Sequence, residues 1–437
     1  MSAENSSGAA AREHTSSSAS GSPSPSKNGQ TAQFLKERRS SLIGAVFLMA
    51  MSAVGPGFIT QTTTFTVQLG AAFGFGILLS IVIDFIVQLN VWRIIGLSGK
   101  TAGELANAAI PGTGYVLAVL VIFGGLVFNI GNIAGIGLGL NAAIGLDPKI
   151  GGLIGALLAI GIFLYKRAGK VMDRVVIGLA AVKVAIVVVV LFVVQPPVGH
   201  ALTETVMPDN VNLAALTTIV GGTIGGYITY AGAHRLLDAK ITGSQNIKAI
   251  STASFWGVTI TGVIRYLLFL AILGVAASGV TIDLASHTAN PAAQAFQVAL
   301  GEWGFRIFGV IFWAAGTTST IGAAYTSVSF FNVFSPKFLE PRLRNVTTII
   351  FIAVSLVVYL LLGTAPAALL VFAGGFNGLI LPIGLTLMIY IGFARRDLLG
   401  NYRYPIWLLI LGALVCVFTW WMGISSIQPI FALLGLS

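Results

Sequence analysis

Apolar stretches long enough to cross a bilayer recur along nearly the whole chain. They lie at about 41–68, 72–95, 114–145, 150–165, 173–195, 213–238, 254–279, 305–332, 346–363, 366–392 and 404–430. The pattern predicts an all-α polytopic membrane protein with about eleven spanning helices. Two of the stretches are interrupted. In the first, Gly55-Pro56-Gly57 stops the helix near mid-membrane, because proline removes a donor and clashes with the preceding turn while glycine favours unwinding. Thr60, Gln61, Thr62, Thr63 and Thr64 follow directly. In the sixth, GGYITYAGAHRLLD carries Gly225-Gly226 and Ala231-Gly232-Ala233. Unpaired backbone is not tolerated against lipid, so both breaks must face a cavity or be buried in protein.

Basic residues orient the spans. Arg93 and Lys100 follow the second, Lys166, Arg167, Lys170 and Arg174 the fourth, and Lys240 and Lys248 the sixth. Lys337, Arg342 and Arg344 follow the eighth, and Arg395, Arg396 and Arg403 the tenth. The loops 196–212 and 280–303 hold no Lys or Arg. The positive-inside rule therefore predicts a cytoplasmic N-terminus, an outer C-terminus and a place in the cell membrane. Five spans is an odd number, so the next five run in the opposite sense. That is a five-plus-five inverted repeat with one extra helix, and helices one and six, both broken, occupy matching places. Paired breaks of this kind mark the solute site of secondary transporters.

Composition narrows the class. Of 437 residues 56% are hydrophobic and 9% charged, with mean hydropathy +0.92, against about 25% charged in soluble domains. The net charge of +10 sits in short loops, which points to the inner membrane face and away from nucleic acid. Cys416 is the single cysteine, so disulfides and cysteine metal clusters are excluded. Residues 1–38 are rich in Ser, Ala and Gly, lack a signal-peptide pattern, and are expected to be a disordered cytoplasmic tail ahead of a transporter domain at 39–435. No phosphate-binding loop or nucleotide domain is present, which argues against an ATP-driven pump. Titratable groups in the spans (Asp84, Lys183, His234, Arg235, Asp238 and Arg265) are too few for an enzyme's constellation, and no cofactor is called for. A channel fits less well than a transporter, since no filter sequence repeats.

The order of motifs resembles the NRAMP family, proton-coupled divalent-metal importers with a LeuT-type fold. The resemblance covers nearly all of 40–430. Gly55-Pro56-Gly57-Phe58 is similar to the family's Asp-Pro-Gly-Asn segment. Gln88 through Glu104 is similar to the end of its helix two and the Gly-Lys loop, Ala314 to Thr326 to the hydroxyl run of helix eight, and Leu381-Pro382 to a Leu-Pro in helix ten. The resemblance implies a metal bound by an Asp and an Asn in helix one, a Met and a carbonyl in helix six and an amide in helix ten. This sequence departs at each of those side chains. Gly55 and Phe58 stand at the Asp and Asn positions, no Asp or Glu occurs between Glu37 and Asp84, and no Met occurs between Met207 and Met388. Ile380 stands at the helix-ten amide, with Asn377 nearby, and helix three offers only Asn129, Asn132 and Asn141.

Two cargoes follow. A divalent cation normally needs a carboxylate to offset its charge, which leaves a metal site undefined here. A small carboxylate or zwitterion would instead meet a half-helix N-terminus and polar side chains. The candidate binding residues are Gly55, Gly57, Phe58, Thr60, Gln61, Tyr227, Thr229, Tyr230 and His234. Candidate coupling or gate residues are Asp84 and Arg265, Arg235 and Asp238 (three apart on one face), Asn377, and Thr317, Thr318 and Ser319. Those last three, with Thr320, resemble the hydroxyl ligands of the sodium site in LeuT-type transporters. Local back-bonding within the helix is the plainer role for these hydroxyls, and a carbonyl bond the plainer role for His234. The expected protein is a secondary transporter that imports a small organic solute, or alternatively a divalent metal, coupled to H+ or Na+ by alternating access.

Overall fold

The computed structural model of the chain describes residues 27–164, 182, 184–284, 290–362 and 366–432. Residues 1–26, the basic group Lys166, Arg167, Lys170 and Arg174, Lys183 and the first part of the fifth span lie outside the described residues. The described residues are helices joined by turns. The first span is split into α1 (Lys27–Ala53) and α2 (Pro56–Leu69), and the second is α3 (Phe73–Ser98). A short helix α4 (Ala102–Ala109) precedes α5 (Thr113–Ile144) and α6 (Pro148–Leu164), the third and fourth spans. The described part of the fifth, α7 (Val184–Val194), meets α8 (Val198–Val206) at 112°. The sixth span is split into α9 (Leu213–Thr223) and α10 (Ile228–Asp238). Then come α11 (Ile247–Ala277), α12 (Pro291–Val328), α13 (Pro341–Leu361), α14 (Pro366–Ala394), α15 (Ile406–Ser425) and a short α16 (Ile427–Ala432).

Each expected span is thus represented by a described helix. By length and apolarity alone the described residues hold eight stretches fit to cross a membrane, or nine with α7–α8 as a bent span. The smaller number arises because α2 and α3 run on as one 43-residue stretch and α6 is short at 17 residues, while α1 is polar over its first half. That polar half begins at Lys27, so residues 27–38, expected to lack structure, are helical.

Packing sorts the helices into two groups. α1–α2, α3, α9–α10 and α11 contact one another, while α5, α6, α12 and α13 form a second set. The second set encloses its own apolar cluster, including Ile133, Ala156, Ala324, Phe351, Ile352 and Tyr359. α14 lies against α2, α5 and α9 and so joins the sets at the level of the breaks. Trp407, Ile410, Leu414, Val417 and Trp421 are exposed at three- and four-residue spacing on α15, a face suited to lipid. At the start of α4 a reciprocal Thr101–Glu104 capping box fixes the entry of the loop after α3.

Candidate functional site

α1 stops at Ala53 because Gly55 is extended (φ -78°, ψ -176°) and Pro56 cannot donate the bond that would continue the helix. Pro56 then takes the first position of α2, where no donor is required. The turn is closed from α12: Ser319 Oγ donates to Met51 O at 3.1 Å, satisfying a carbonyl in the last turn of α1. A Cβ on Gly55 would lie 2.5 Å from that Oγ, so α12 can come this close only at glycine. The first intrahelical donor of α2 is Ile59, bonded to Gly55 O at 3.2 Å, which leaves the Gly57 and Phe58 N–H groups at the open helix end. Around Gly57 there is room: a Cβ there would meet Gln61 Nε2 at 3.6 Å, Leu370 O at 3.7 Å and Phe128 at 3.9 Å.

The second break spans Ile224–Tyr227. Gly226 has φ +58°, the left-handed region that glycine enters without strain. Thr229 Oγ1 turns back to donate to Ile224 O, and the Gly225 N–H reaches Gly221 O at 3.0 Å. The second expected interruption, Ala231–Ala233, is continuous helix. Gly232 is there for a different reason: the Trp92 indole lies against it, and a Cβ would fall within 2.8 Å of Cε2 and nearer still to other ring atoms.

α14 keys the breaks together. Gln61 Nε2 donates to Leu370 O at 2.9 Å, and its amide carbon would be 2.8 Å from a Cβ on either Gly222 or Gly374. Asn377 Nδ2 donates to Gly124 O at 3.0 Å and Ala373 O at 2.9 Å, while its Oδ1 faces Gly226. Tyr227 stands edge-on to Phe128 (5.4 Å, 90°), with Ser52 and Asn132 beside its hydroxyl. Phe58, Thr60 and Thr62 are buried on α2. Several polar atoms in this region have no partner: Gln61 Oε1, Thr62 Oγ1, Asn132 Nδ2 and Asn377 Oδ1. Buried polar groups normally find partners, so these orphans set the region apart from an ordinary packed core.

Asp84 and Arg265, unplaced by the sequence, form a buried ion pair: Arg265 Nη2 to Asp84 Oδ2 is 2.7 Å, with side chains 0% and 1% exposed. Arg265 Nη2 also lies 3.5 Å from the carbonyl of Thr223, the last residue of α9. Arg265 Nε and Nη1 and Asp84 Oδ1 have no partner.

Other candidates sit elsewhere. His234 Nε2 accepts the Ala102 N–H at 3.1 Å, so Nδ1 carries the proton and meets Ser329 Oγ at 2.7 Å. Its ring also stacks among Tyr230 and Phe330, and the Tyr230 hydroxyl points at Gly384. This is the plainer role of a tied histidine, with both nitrogens engaged. Thr317 donates to Trp313 O and Thr318 to Ala314 O, both within α12. Asp238 does not take Arg235 as its partner. It pairs with Arg344 of α13 at 3.1 Å and accepts from the Tyr325 hydroxyl, and the Arg344 guanidinium lies over the Tyr325 ring, 4.4 Å from its centre. Arg235 is exposed.

The residues that sequence reasoning passed over are those that act through packing: Ser52, Phe128, Leu370 and Gly374. Gln88 and Trp92 gave a faint signal, as a polar residue and an indole four apart in an apolar span, and they are hydrogen-bonded at 2.7 Å. Among the described residues no group of three or more His, Cys, Asp or Glu side chains could hold a metal ion. The break is therefore lined by neutral polar groups, two helix ends and a balanced ion pair.

A profile of the family described as natural resistance-associated macrophage protein-like, Nramp, matches residues 46–428. The chain is 50% identical over 388 residues to the uncharacterized membrane protein YcsG of Bacillus subtilis, covering 89% of this chain and 94% of that one. It is 47% identical over 383 residues to an uncharacterized membrane protein of Haemophilus influenzae, covering 88% and 94%. The structure is similar to the Eremococcus coleocola manganese transporter bound to an aromatic bis-isothiourea compound (TM-score 0.68, 15% identity, 90% of this chain and 87% of that one). A point mutant of that transporter gives TM-score 0.69 at 16% identity, over 89% and 86%. At that identity the likeness speaks for the fold, the LeuT-type arrangement with broken first and sixth helices.

Proposed function

The chain belongs to the Nramp family, and we propose that it imports a small organic solute bearing a carboxylate, bound between the broken first and sixth helices. Family membership supports a membrane transporter and, at the level of the family, a role other than catalysis. The cargo, the coupling ion and the orientation are our reading. Orientation rests on the basic inner loops, with the N-terminus in the cytoplasm of a cell-membrane protein.

The observation that carries the cargo is electrostatic. The carboxylate buried beside the sixth-helix break, Asp84, is already neutralised by Arg265, and the first span has no acidic residue after Glu37. A divalent cation would enter with no net negative charge to receive it, which opposes binding by far more than neutral oxygens recover. A carboxylate would meet the α2 N-terminus, with the Gly57 and Phe58 N–H groups and the positive dipole end, while at the helix-six break Arg265 keeps guanidinium N–H donors without a partner.

A second reading keeps a divalent metal, as in the manganese transporter that shares the fold. The orphan oxygens Gln61 Oε1 and Asn377 Oδ1 favour it, since amide oxygens suit hard cations.

Calorimetry on the purified protein separates the two, using Mn2+, Mg2+, lactate, succinate and L-alanine. The expected result is saturable binding of one carboxylate and silence with both metals. Saturable Mn2+ binding that is lost in Gln61→Ala, with no organic ligand bound, overturns the reading.

A further inference from the structure

The Asp84–Arg265 pair is the one buried ionic contact among the described residues, and it does not look like a finished structural pair. It is held by one oxygen and one nitrogen, with Asp84 Oδ1 and Arg265 Nε and Nη1 unsatisfied. A buried pair that only stabilised the fold would have its remaining donors and acceptors filled, because each orphan costs free energy in a dry interior. Spare N–H groups on a buried guanidinium are what a planar oxyanion would take.

Its position also singles it out. Arg265 on α11 reaches the Thr223 carbonyl, where the first half of helix six ends. On the other side, Gln88 lies one turn along α3 from Asp84, with its Nε2 also without a partner. Gln88 accepts the Trp92 indole N–H at 2.7 Å, and Trp92 packs on Gly232 in the second half of helix six. Asp84, Gln88 and Trp92 thus lie one turn apart on a single face of α3, and that face meets the first half of helix six through Arg265 and the second half through Trp92. Arg265 is the charged group that faces Asp84. Among the described residues neither Asp84 nor Arg265 has a second ion-pair partner.

We propose that this pair couples cargo to protons: Arg265 leaves Asp84 for the cargo carboxylate, and Asp84, without its counter-ion, takes up one proton. This rests on the reading that the cargo bears a carboxylate. The guanidinium stays cationic throughout. Its N–H bonds pass from the Asp84 oxygen to a cargo oxygen, and one O–H bond forms on Asp84 with a proton drawn from solution. The pair region carries no net charge before or after, so the occluded complex never buries an uncompensated ion. Each cargo molecule is thereby carried with one proton.

The first test needs no variant. In weakly buffered detergent solution with a pH indicator, binding of whichever of lactate, succinate or L-alanine is accepted takes up one proton per molecule bound. In proteoliposomes, Asp84→Asn abolishes that uptake and makes the charge moved per cargo more negative by one. Asp84→Asn leaves a buried guanidinium without a counter-ion, so the neutral pair Asp84→Asn with Arg265→Gln is the second variant. It removes the charged partner and weakens carboxylate binding about 100-fold, the worth of a charge-assisted hydrogen bond. Carboxylate binding without proton uptake, or unchanged affinity in the double variant, overturns the coupling pair and leaves the cargo reading standing. Binding of Mn2+ with no carboxylate bound in the native protein overturns both.

Discussion

Replacing Gly226 by alanine tests whether the break in helix six is built by backbone geometry or by the cargo. Gly226 sits at φ +58°, where a residue with a Cβ loses about 1–2 kcal/mol. The new methyl carbon would also lie 2.8 Å from Asn377 Cγ and closer still to Oδ1. Forcing an extra carbon into close-packed surroundings costs about 1–3 kcal/mol more. The two add to about 2–5 kcal/mol against the broken conformation. Asn377→Ala alone gives up two bonds, to Gly124 O and Ala373 O, at about 1 kcal/mol each. In the double variant the overlap is gone but the φ strain remains, so the cycle should return a favourable coupling of about 1–3 kcal/mol. The assay is the unfolding midpoint in a mild-to-denaturing detergent titration, read by intrinsic fluorescence for native, single and double variants. A Gly226→Ala protein as stable as the native one, or a coupling of zero, would refute the account of why helix six breaks there.

Gly57 gives the contrasting case. Its surroundings begin at 3.6 Å, so Gly57→Ala should keep native stability, whereas Gly57→Leu fills the space before Leu370 O and Phe128 and should abolish uptake while the protein still inserts and folds; unaltered uptake by the Leu variant would remove Gly57 from the site. His234→Ala loses two buried bonds and should cost about 2 kcal/mol in the same titration. His234→Gln should leave the pH profile of uptake unchanged from about pH 6 to 8, because Nε2 must stay unprotonated to accept the Ala102 N–H. A flattened profile would make His234 a proton carrier after all. Arg344→Ala removes a pair whose partners are 18% and 35% exposed, so stability should fall by less than about 1 kcal/mol. Its signature should be kinetic: a bulky thiol reagent supplied from the cytoplasmic side should reach a cysteine introduced at Ser329 faster, and equal rates would deny the Asp238–Tyr325–Arg344 cluster a closing role.

Much of this protein is decided locally and is legible in the order of its residues. A bilayer-length apolar run can satisfy its backbone in lipid only as a helix, so the spans follow from hydropathy, with ends blurred by a few residues. Gly55-Pro56-Gly57 breaks the first helix for reasons internal to the tripeptide: an extended glycine and a proline without a donor. The loss of acidic side chains from the first span is likewise a property of composition, true in any register. The second break was legible only in part. Gly225-Gly226 unwinds, but Gly232 does not, and the difference lies in what each glycine meets: an Asn377 side chain at one, the Trp92 ring at the other. The same holds for the polar residues. Nothing near Asp84 in the chain announces Arg265, 181 residues on, and Asp238 ignores the arginine three residues away for one 106 residues distant. Hydrophobic period and helix-breaking chemistry act over one or two turns, and sequence carries them directly. Partner choice among buried charges and amides is set by which helices cross at mid-membrane, and that is settled only when the bundle closes.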